Sequence, residues 1–238
     1  MTQSDHAVLL DLLDLLINIC ERMNITHFMY GGTLLGSWRH HGMVPWDDDI
    51  DIIANIRYKE TLSRELQKLG PVYRVVQRKF QTKFMRNKGR IITPWQWTWP
   101  FIDFQYFIED DTYIMDANPN FGDMKFLKSD IFPLHKRPFH GRMLNSPNKP
   151  LKYLHLTYGF SDQCQTHYWS HRIENFQEVV KTECSSLKHK FPFVHRRFIN
   201  GIMEETLKLD GMKLQTYFVN EINESVTEPY SLRAMPPI

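Results

Sequence analysis

The sequence predicts an α+β fold: short strands flanked by helices, with a helical C-terminal extension. Three observations predict it. Residues 7–23 are apolar except for one polar stripe, as in an amphipathic helix. Residues 73–78, 101–108 and 112–115 alternate or cluster like strands. Residues 168–183 and 194–208 read as two further helices.

Taken in order, Asp11, Asp14 and Asn18 recur at helical spacing in the first segment, with Glu21 beside them and Ser4 as the expected N-cap. The basic region that would precede a signal peptide's apolar core is missing, so a core helix is expected. Residues 27–30 read as a short strand, Gly31 and Gly32 as a turn, and residues 33–41 as a helix. A second helix is expected at 57–69, with Leu62, Leu66 and Leu69 on one face and Gly70-Pro71 at its end. A strand at 73–78 follows, then a hairpin joining 101–108 to 112–115 through Glu109-Asp110-Asp111. Seven prolines from Pro94 to Pro150 mark a loop-rich region, followed by a short helix at 151–158. The last ten residues or so read as an extended tail.

Composition excludes several classes. At 238 residues the chain suits one domain, with room for an appended subdomain. A net charge of +2 gives little overall attraction to nucleic acid, and none is expected as a partner. No run of about 18 uncharged apolar residues exists, so no transmembrane segment is expected. Cys20, Cys164 and Cys184 are odd in number and do not fix a redox compartment. Asn24-Ile25-Thr26 and Asn223-Glu224-Ser225 fit glycosylation acceptors, a pattern that arises often by chance.

Function is concentrated in residues 31–52. Gly31 and Gly32, between a strand and a helix start, form a turn that offers backbone N–H groups to a phosphate. Thr33 can cap the helix or meet a ligand oxygen, and Arg39 can reach a phosphate or the acidic cluster. Asp47, Asp48 and Asp49 then precede Ile50, Asp51 and Ile52. Adjacent carboxylates repel one another, so stability alone disfavours the cluster. Strand alternation places Asp49 and Asp51 on one face, roughly 6.6 Å apart at Cα, with both isoleucines on the other. Two such carboxylates suit a hard cation, Mg²⁺ or Mn²⁺. A solvated acidic turn is the plain alternative.

Weaker signals lie further on. Basic residues at 78–90, Lys83 among them, alternate with Phe80 and Phe84. They read first as a charged strand edge, and otherwise as attraction for an anionic donor or for single-stranded nucleic acid. Trp95, Trp97 and Trp99 would share a face, by packing or as a platform for a sugar. Cys164, His167 and His171 have loosely zinc-like spacing without an evident fourth ligand, so zinc is not expected.

Residues 30–36, Arg39, Gly42 and Pro45-Trp46-Asp47-Asp48-Asp49-Ile50-Asp51-Ile52 together resemble the signature of the LicD family. Trp99 to Phe104, Asp130 to Leu134, Phe139 to Arg142, and Pro147 with Tyr153-Leu154 and Tyr158-Gly159 are similar to its later segments. The resemblance implies a nucleotidyltransferase-like mixed sheet flanked by helices over residues 5–160. Residues 161–227, expected as a helical extension packed on it, and 228–238, expected as a flexible tail, lie outside it. It implies transfer of a phospho-alcohol, phosphocholine or ribitol 5-phosphate, from a CDP-linked alcohol donor to a glycan or glycoconjugate acceptor, with Mg²⁺ or Mn²⁺. Carried over by position, Asp49, Asp51 and Asp103 are the metal-binding and catalytic carboxylates, with Asp103 as proton acceptor and Asp47 and Asp48 supporting the ligands from behind. Gly31, Gly32, Thr33 and Arg39 face the donor. Eukaryotic members imply a Golgi lumen held by an N-terminal anchor; without such a segment a cytoplasmic location stays open. A DxD-type glycosyltransferase and a non-catalytic nucleotide- or glycan-binding relative are the alternatives.

Overall fold

The computed structural model describes residues 1–95, 97–121, 124–159 and 162–219. Helix α1 (Gln3–Arg22) is capped by Thr2, one of a reciprocal pair with Asp5, rather than by Ser4. The Thr2 side chain accepts from the Asp5 amide, and the Asp5 carboxylate accepts from Thr2. The buried face of α1, Leu9, Leu12, Leu13 and Leu16, lies in the main core.

Strand β1 (His27–Met29), helix α2 (Gly31–His40) and strand β2 (Ile50–Asn55) follow, then helix α3 (Lys59–Gln67). Strands β3 (Tyr73–Gln77), β4 (Gln81–Ile91), β5 (Thr98–Glu109), β6 (Tyr113–Asp116) and β7 (Lys125–Leu127) complete a seven-stranded sheet. Its main path runs β1-β2-β5-β4-β3, with β6 on β5 and β7 on β6. The β2–β5 pair is parallel and the others antiparallel, so the sheet is mixed. Ile50, Ile52, Ile102 and Phe104 of the central pair are buried in one core with α1, α3 and Phe84. The expected α+β architecture over this part of the chain is therefore present.

A short helix α4 (Lys128–Ile131), the hairpin β8 (His135–Phe139) and β9 (Arg142–Ser146), and helix α5 (Pro150–Tyr158) close this unit. Helix α5 starts with Pro150 in its first turn and ends on Gly159 at φ 57°, as its sequence dictates.

The C-terminal extension corrects the helical expectation. Residues 163–219 form β10 (Gln163–Gln165), β11 (Trp169–Ser170), β12 (Asn175–Phe176), β13 (Lys181–Glu183), β14 (Phe193–Ile199), β15 (Ile202–Leu209) and β16 (Met212–Val219). Neither 168–183 nor 194–208 contains an α-helix. The reason is legible in the turns. Asn200-Gly201 and Asp210-Gly211 both adopt positive φ at both residues, 51° and 84°, then 48° and 78°. Such dipeptides favour tight hairpins and stop a helix, so β14, β15 and β16 fold back on one another.

Buried Glu205 of β15 joins this three-stranded sheet to the rest. It accepts from Arg137 at 2.7 and 2.9 Å, meets His41 Nε2 at 2.8 Å and pairs with Arg196 Nε at 2.7 Å. Trp38 stacks under both guanidinium groups, 4.6 and 3.6 Å from its ring centre. The expected tail at 228–238 and the acceptor triplet at Asn223 lie outside the described residues.

Candidate active site

Three charged residues stand side by side across the sheet. Asp51 of β2 is in register with Asp103 of parallel β5, and Asp103 with Lys83 of antiparallel β4. Directly opposed like charges destabilise a sheet. Lys83 offsets part of that cost: its ammonium donates to both Asp103 oxygens, at 2.9 and 3.0 Å, and is almost fully buried. It also lies 3.6 Å from the centre of the Phe101 ring. Asp103 thus enters the site already paired, which weakens the expectation that it takes the proton.

Asp49 stands before β2 with its carboxylate 5% exposed. Its Oδ2 has no hydrogen-bond partner among the described residues. Burial, then the charge of Asp51, pushes the Asp49 carboxyl well above the usual range. Burial and the charges of Asp103 and Asp47 push Asp51 up to about 8, and burial and Asp48 push Asp47 up to about 6. A divalent cation would reverse this repulsion. Asp49, Asp103 and His171 each offer a ligand atom, all within 4.8 Å of one another. Buried oxygen donors without a partner fit a hard divalent ion.

The glycines are where the carboxylates need room. A Cβ on Gly32 would lie 2.5 Å from Asp47 Oδ2, and one on Gly31 3.0 Å from Asp51 Oδ2. Gly31 also has φ +51°, a conformation that glycine adopts without strain. The start of α2 therefore faces the acidic centre. Thr33 is buried beneath it and does not cap the helix: its Oγ1 accepts from the Asp51 amide at 2.7 Å, tying α2 to β2. Arg39 lies two turns along α2. Its guanidinium donates to the Gln163 carbonyl at 3.3 Å.

Sequence reasoning missed the strap between β10 and β13, closed by a Cys164–Cys184 disulfide. It delivers two residues to the centre. His171 Nε2 lies 3.4 Å from Asp49 Oδ2, and its Nδ1 3.6 Å from Glu174 Oε1. Glu174 lies 3.3 Å from Lys83 and accepts from the Trp97 and Trp169 indoles at 3.1 and 3.2 Å. Burial opposes the charge on His171, but Asp49, Glu174 and Asp103 outweigh it and push its pKa up to about 10. Burial likewise opposes ionised Glu174, and His171 and Lys83 hold it down to about 2.

Asp48 turns its carboxylate to the strap. Its carboxylate accepts from Ser170 Oγ at 2.7 Å and from the His171 and Arg172 amides at 3.2 and 2.9 Å. Trp99 donates to the Asp48 carbonyl at 2.8 Å, and Trp46 to that of Gln165 at 2.8 Å. Of the motif's four aspartates, Asp47, Asp49 and Asp51 therefore line the site and Asp48 holds the strap. Of the three alternating tryptophans, Trp95 and Trp97 stack at 5.0 Å, while Trp97 and Trp99 are buried packing residues with polar tips satisfied. Cys164 is in the disulfide and is no metal ligand.

Two cavities meet at this centre. One, of ≈ 140 Å³, is lined by Gly32, Asp47, Asp49, Asp51 and Tyr158. The other, of ≈ 450 Å³, is lined by Asp51, Asp103, Lys83, Arg78, Lys79 and Tyr168.

The model of the LicD/FKTN/FKRP nucleotidyltransferase domain matches residues 24–149, which carry the paired strands and all three aspartates. The chain belongs to the LicD family. It is 51% identical over 50 residues to the lipopolysaccharide cholinephosphotransferase LicD of Haemophilus influenzae, covering 21% of this chain and 19% of that one. It is 24% identical over 155 residues to the ribitol 5-phosphate transferase FKRP of Mus musculus, covering 60% and 29%. The chain thus spans less than a third of the length of either curated relative. The lincomycin-bound lincosamide antibiotic adenylyltransferase LnuA aligns with a TM-score of 0.42 and 18% identity, over 65% of this chain and 85% of that one. The family domain ends before the strap, so His171 and Glu174 lie outside the matched residues. No helix among the described residues is long and apolar enough to cross a membrane.

Proposed function

We propose that this LicD-family chain transfers a phospho-alcohol of the phosphocholine or ribitol 5-phosphate type from a CDP-linked donor to a glycan hydroxyl, using Mg²⁺ or Mn²⁺. One observation carries the reading: carboxylates from two separate segments, Asp49 and Asp51 on one side and Asp103 on the other, converge beside the start of a helix, with a buried Asp49 oxygen that has no partner.

A divalent ion held by these carboxylates would neutralise charge on the leaving nucleotide and activate the acceptor oxygen. The chain's own residues do the rest. The backbone at Gly31 and Gly32 gives the donor phosphates a side-chain-free approach to α2. Ligand sites usually occupy about 300–1,000 Å³, so the ≈ 450 Å³ cavity, not the smaller one, takes the nucleotide. Arg78 and Lys79 at its wall attract the anionic donor. The proton of the acceptor hydroxyl passes to the carboxylate cluster, where Asp51 faces both cavities. Lys83 holds Asp103 in place. Structural disulfides persist in oxidising compartments, so Cys164–Cys184 supports a luminal or extracellular site of action.

A mass-spectrometric screen of CDP-choline, CDP-ribitol and CDP-glycerol against glycan acceptors tests the reading, with UDP-sugars as controls. Addition of a phospho-alcohol mass to a glycan is expected. Sugar transfer from a UDP-sugar, with no CDP-alcohol consumed, would overturn it.

A further inference from the structure

We propose that His171 is a nitrogen ligand of the divalent ion held by Asp49 and Asp103, making the centre one of mixed oxygen and nitrogen donors suited to Mn²⁺ over Mg²⁺. This rests on the metal site of the reading above and extends it to a residue outside the family domain.

Four observations carry it. The ligand atoms of Asp49, Asp103 and His171 all lie within 4.8 Å of one another. Asp49 Oδ2 is buried and has no hydrogen-bond partner among the described residues. His171 Nε2 stands 3.4 Å from it, close enough for charge attraction but not aligned as a hydrogen bond. The other ring nitrogen lies 3.6 Å from Glu174 Oε1, an ion-pair contact without a formed hydrogen bond, where a carboxylate can orient a metal-binding imidazole.

The imidazole is also held from three sides. Asp48 grips the strap backbone at Ser170, His171 and Arg172. Two indole N–H groups and Lys83 fix Glu174. The Phe101 ring meets the imidazole edge-on at 5.6 Å. A histidine serving only as a counter-charge would need none of this orientation. Imidazole suits borderline metals, whereas Mg²⁺ prefers oxygen donors throughout.

The test is electron spin-echo envelope modulation of Mn²⁺ bound to the full chain. We expect ¹⁴N modulation from a coordinated imidazole in the parent protein. In His171→Gln, Mn²⁺ should still bind through the aspartates, with the ¹⁴N modulation lost and affinity lowered at least as much as the roughly 10–100-fold typical when a ligand's orienting partner is removed. Its Mg²⁺ affinity should fall less, as measured by competition against bound Mn²⁺. Glu174→Gln should keep the modulation while weakening Mn²⁺ binding. Bound Mn²⁺ without ¹⁴N modulation in the parent protein would overturn the histidine ligand and leave the aspartate site standing. Failure of Mn²⁺ to bind the parent protein would overturn both. Because the deciding spectrum is that of the parent protein, misfolding of a variant does not rescue the proposal.

Discussion

Asp51 and Asp103 reach the centre on neighbouring strands inside a seven-stranded sheet, whereas His171 and Glu174 reach it on a strap made of two two-stranded ribbons. The sheet positions its residues by continuous backbone pairing and by isoleucines buried on the opposite face. The strap has few buried apolar residues and relies on point attachments: Asp48, Trp46, the Trp97 and Trp169 indoles, and one disulfide. A change in the sheet half should therefore affect chemistry or the whole fold. A change in the strap half should act locally, because such segments open without global unfolding.

The largest effect is expected in the sheet half. Asp51→Asn should lower turnover about 10³-fold or more, since a metal carboxylate supplies several kcal/mol of transition-state stabilisation. Far-UV circular dichroism should be unchanged. Near-normal donor cleavage with Mg²⁺ or Mn²⁺ would remove Asp51 from the mechanism.

Lys83 touches both halves, bonding Asp103 from the sheet and approaching Glu174 from the strap. Lys83→Met leaves two buried carboxylates without their cation and should destabilise the protein by about 3–5 kcal/mol in urea unfolding. Added Mn²⁺ should recover part of that loss. No recovery would mean that Asp103 does not hold the ion.

Asp48→Ala should separate the halves most cleanly. It strips the acceptor from Ser170 and two strap amides, at a cost of about 1–3 kcal/mol. Limited proteolysis should accelerate between residues 165 and 183 while the thermal midpoint moves little. Equal acceleration in the α1–β5 core would show that strap and sheet unfold together.

A third region provides a control. Burial raises the Glu205 carboxyl, but Arg137, His41 and Arg196 overcome this and hold it down to about 2 in the folded chain, against 4.5 ordinarily. A depressed carboxylate stabilises the fold fully above its unfolded value, and the contribution fades as pH falls from about 4.5 through about 2. The urea midpoint of the parent protein should drop across this window. That of Glu205→Gln should drop less, with the Mn²⁺ site unaffected at neutral pH.

Legibility in the sequence followed the same division. Strand alternation around Ile50 and Ile52 showed which aspartates share a face, because a pleated strand has one rule for orientation. Asp103 was found through a motif and through its apolar neighbours Ile102 and Phe104. Lys83 was visible only as one cation among several between Thr82 and Phe84; nothing local marks it as the partner of a residue twenty positions later. His171 and Glu174 could not be found by periodicity, since the strap has none, and their partners lie far back in the chain, at Asp49, Lys83 and Trp97, or on the strap's own short ribbons. The helical reading of 194–208 was avoidable: Asn200-Gly201 and Asp210-Gly211 are strong hairpin signals that apolar spacing obscured.

The Cys164–Cys184 bond has a practical consequence for anyone purifying the protein. Oxidised chain carries a single thiol, that of buried Cys20, whereas fully reduced chain carries three. Both forms should show the same helix and sheet content, since the bond lies outside the main sheet. Batches from reducing and oxidising hosts can thus look identical by circular dichroism and yet hold Mn²⁺ differently. A thiol titration in denaturant, reading one or three, is the measurement that tells them apart.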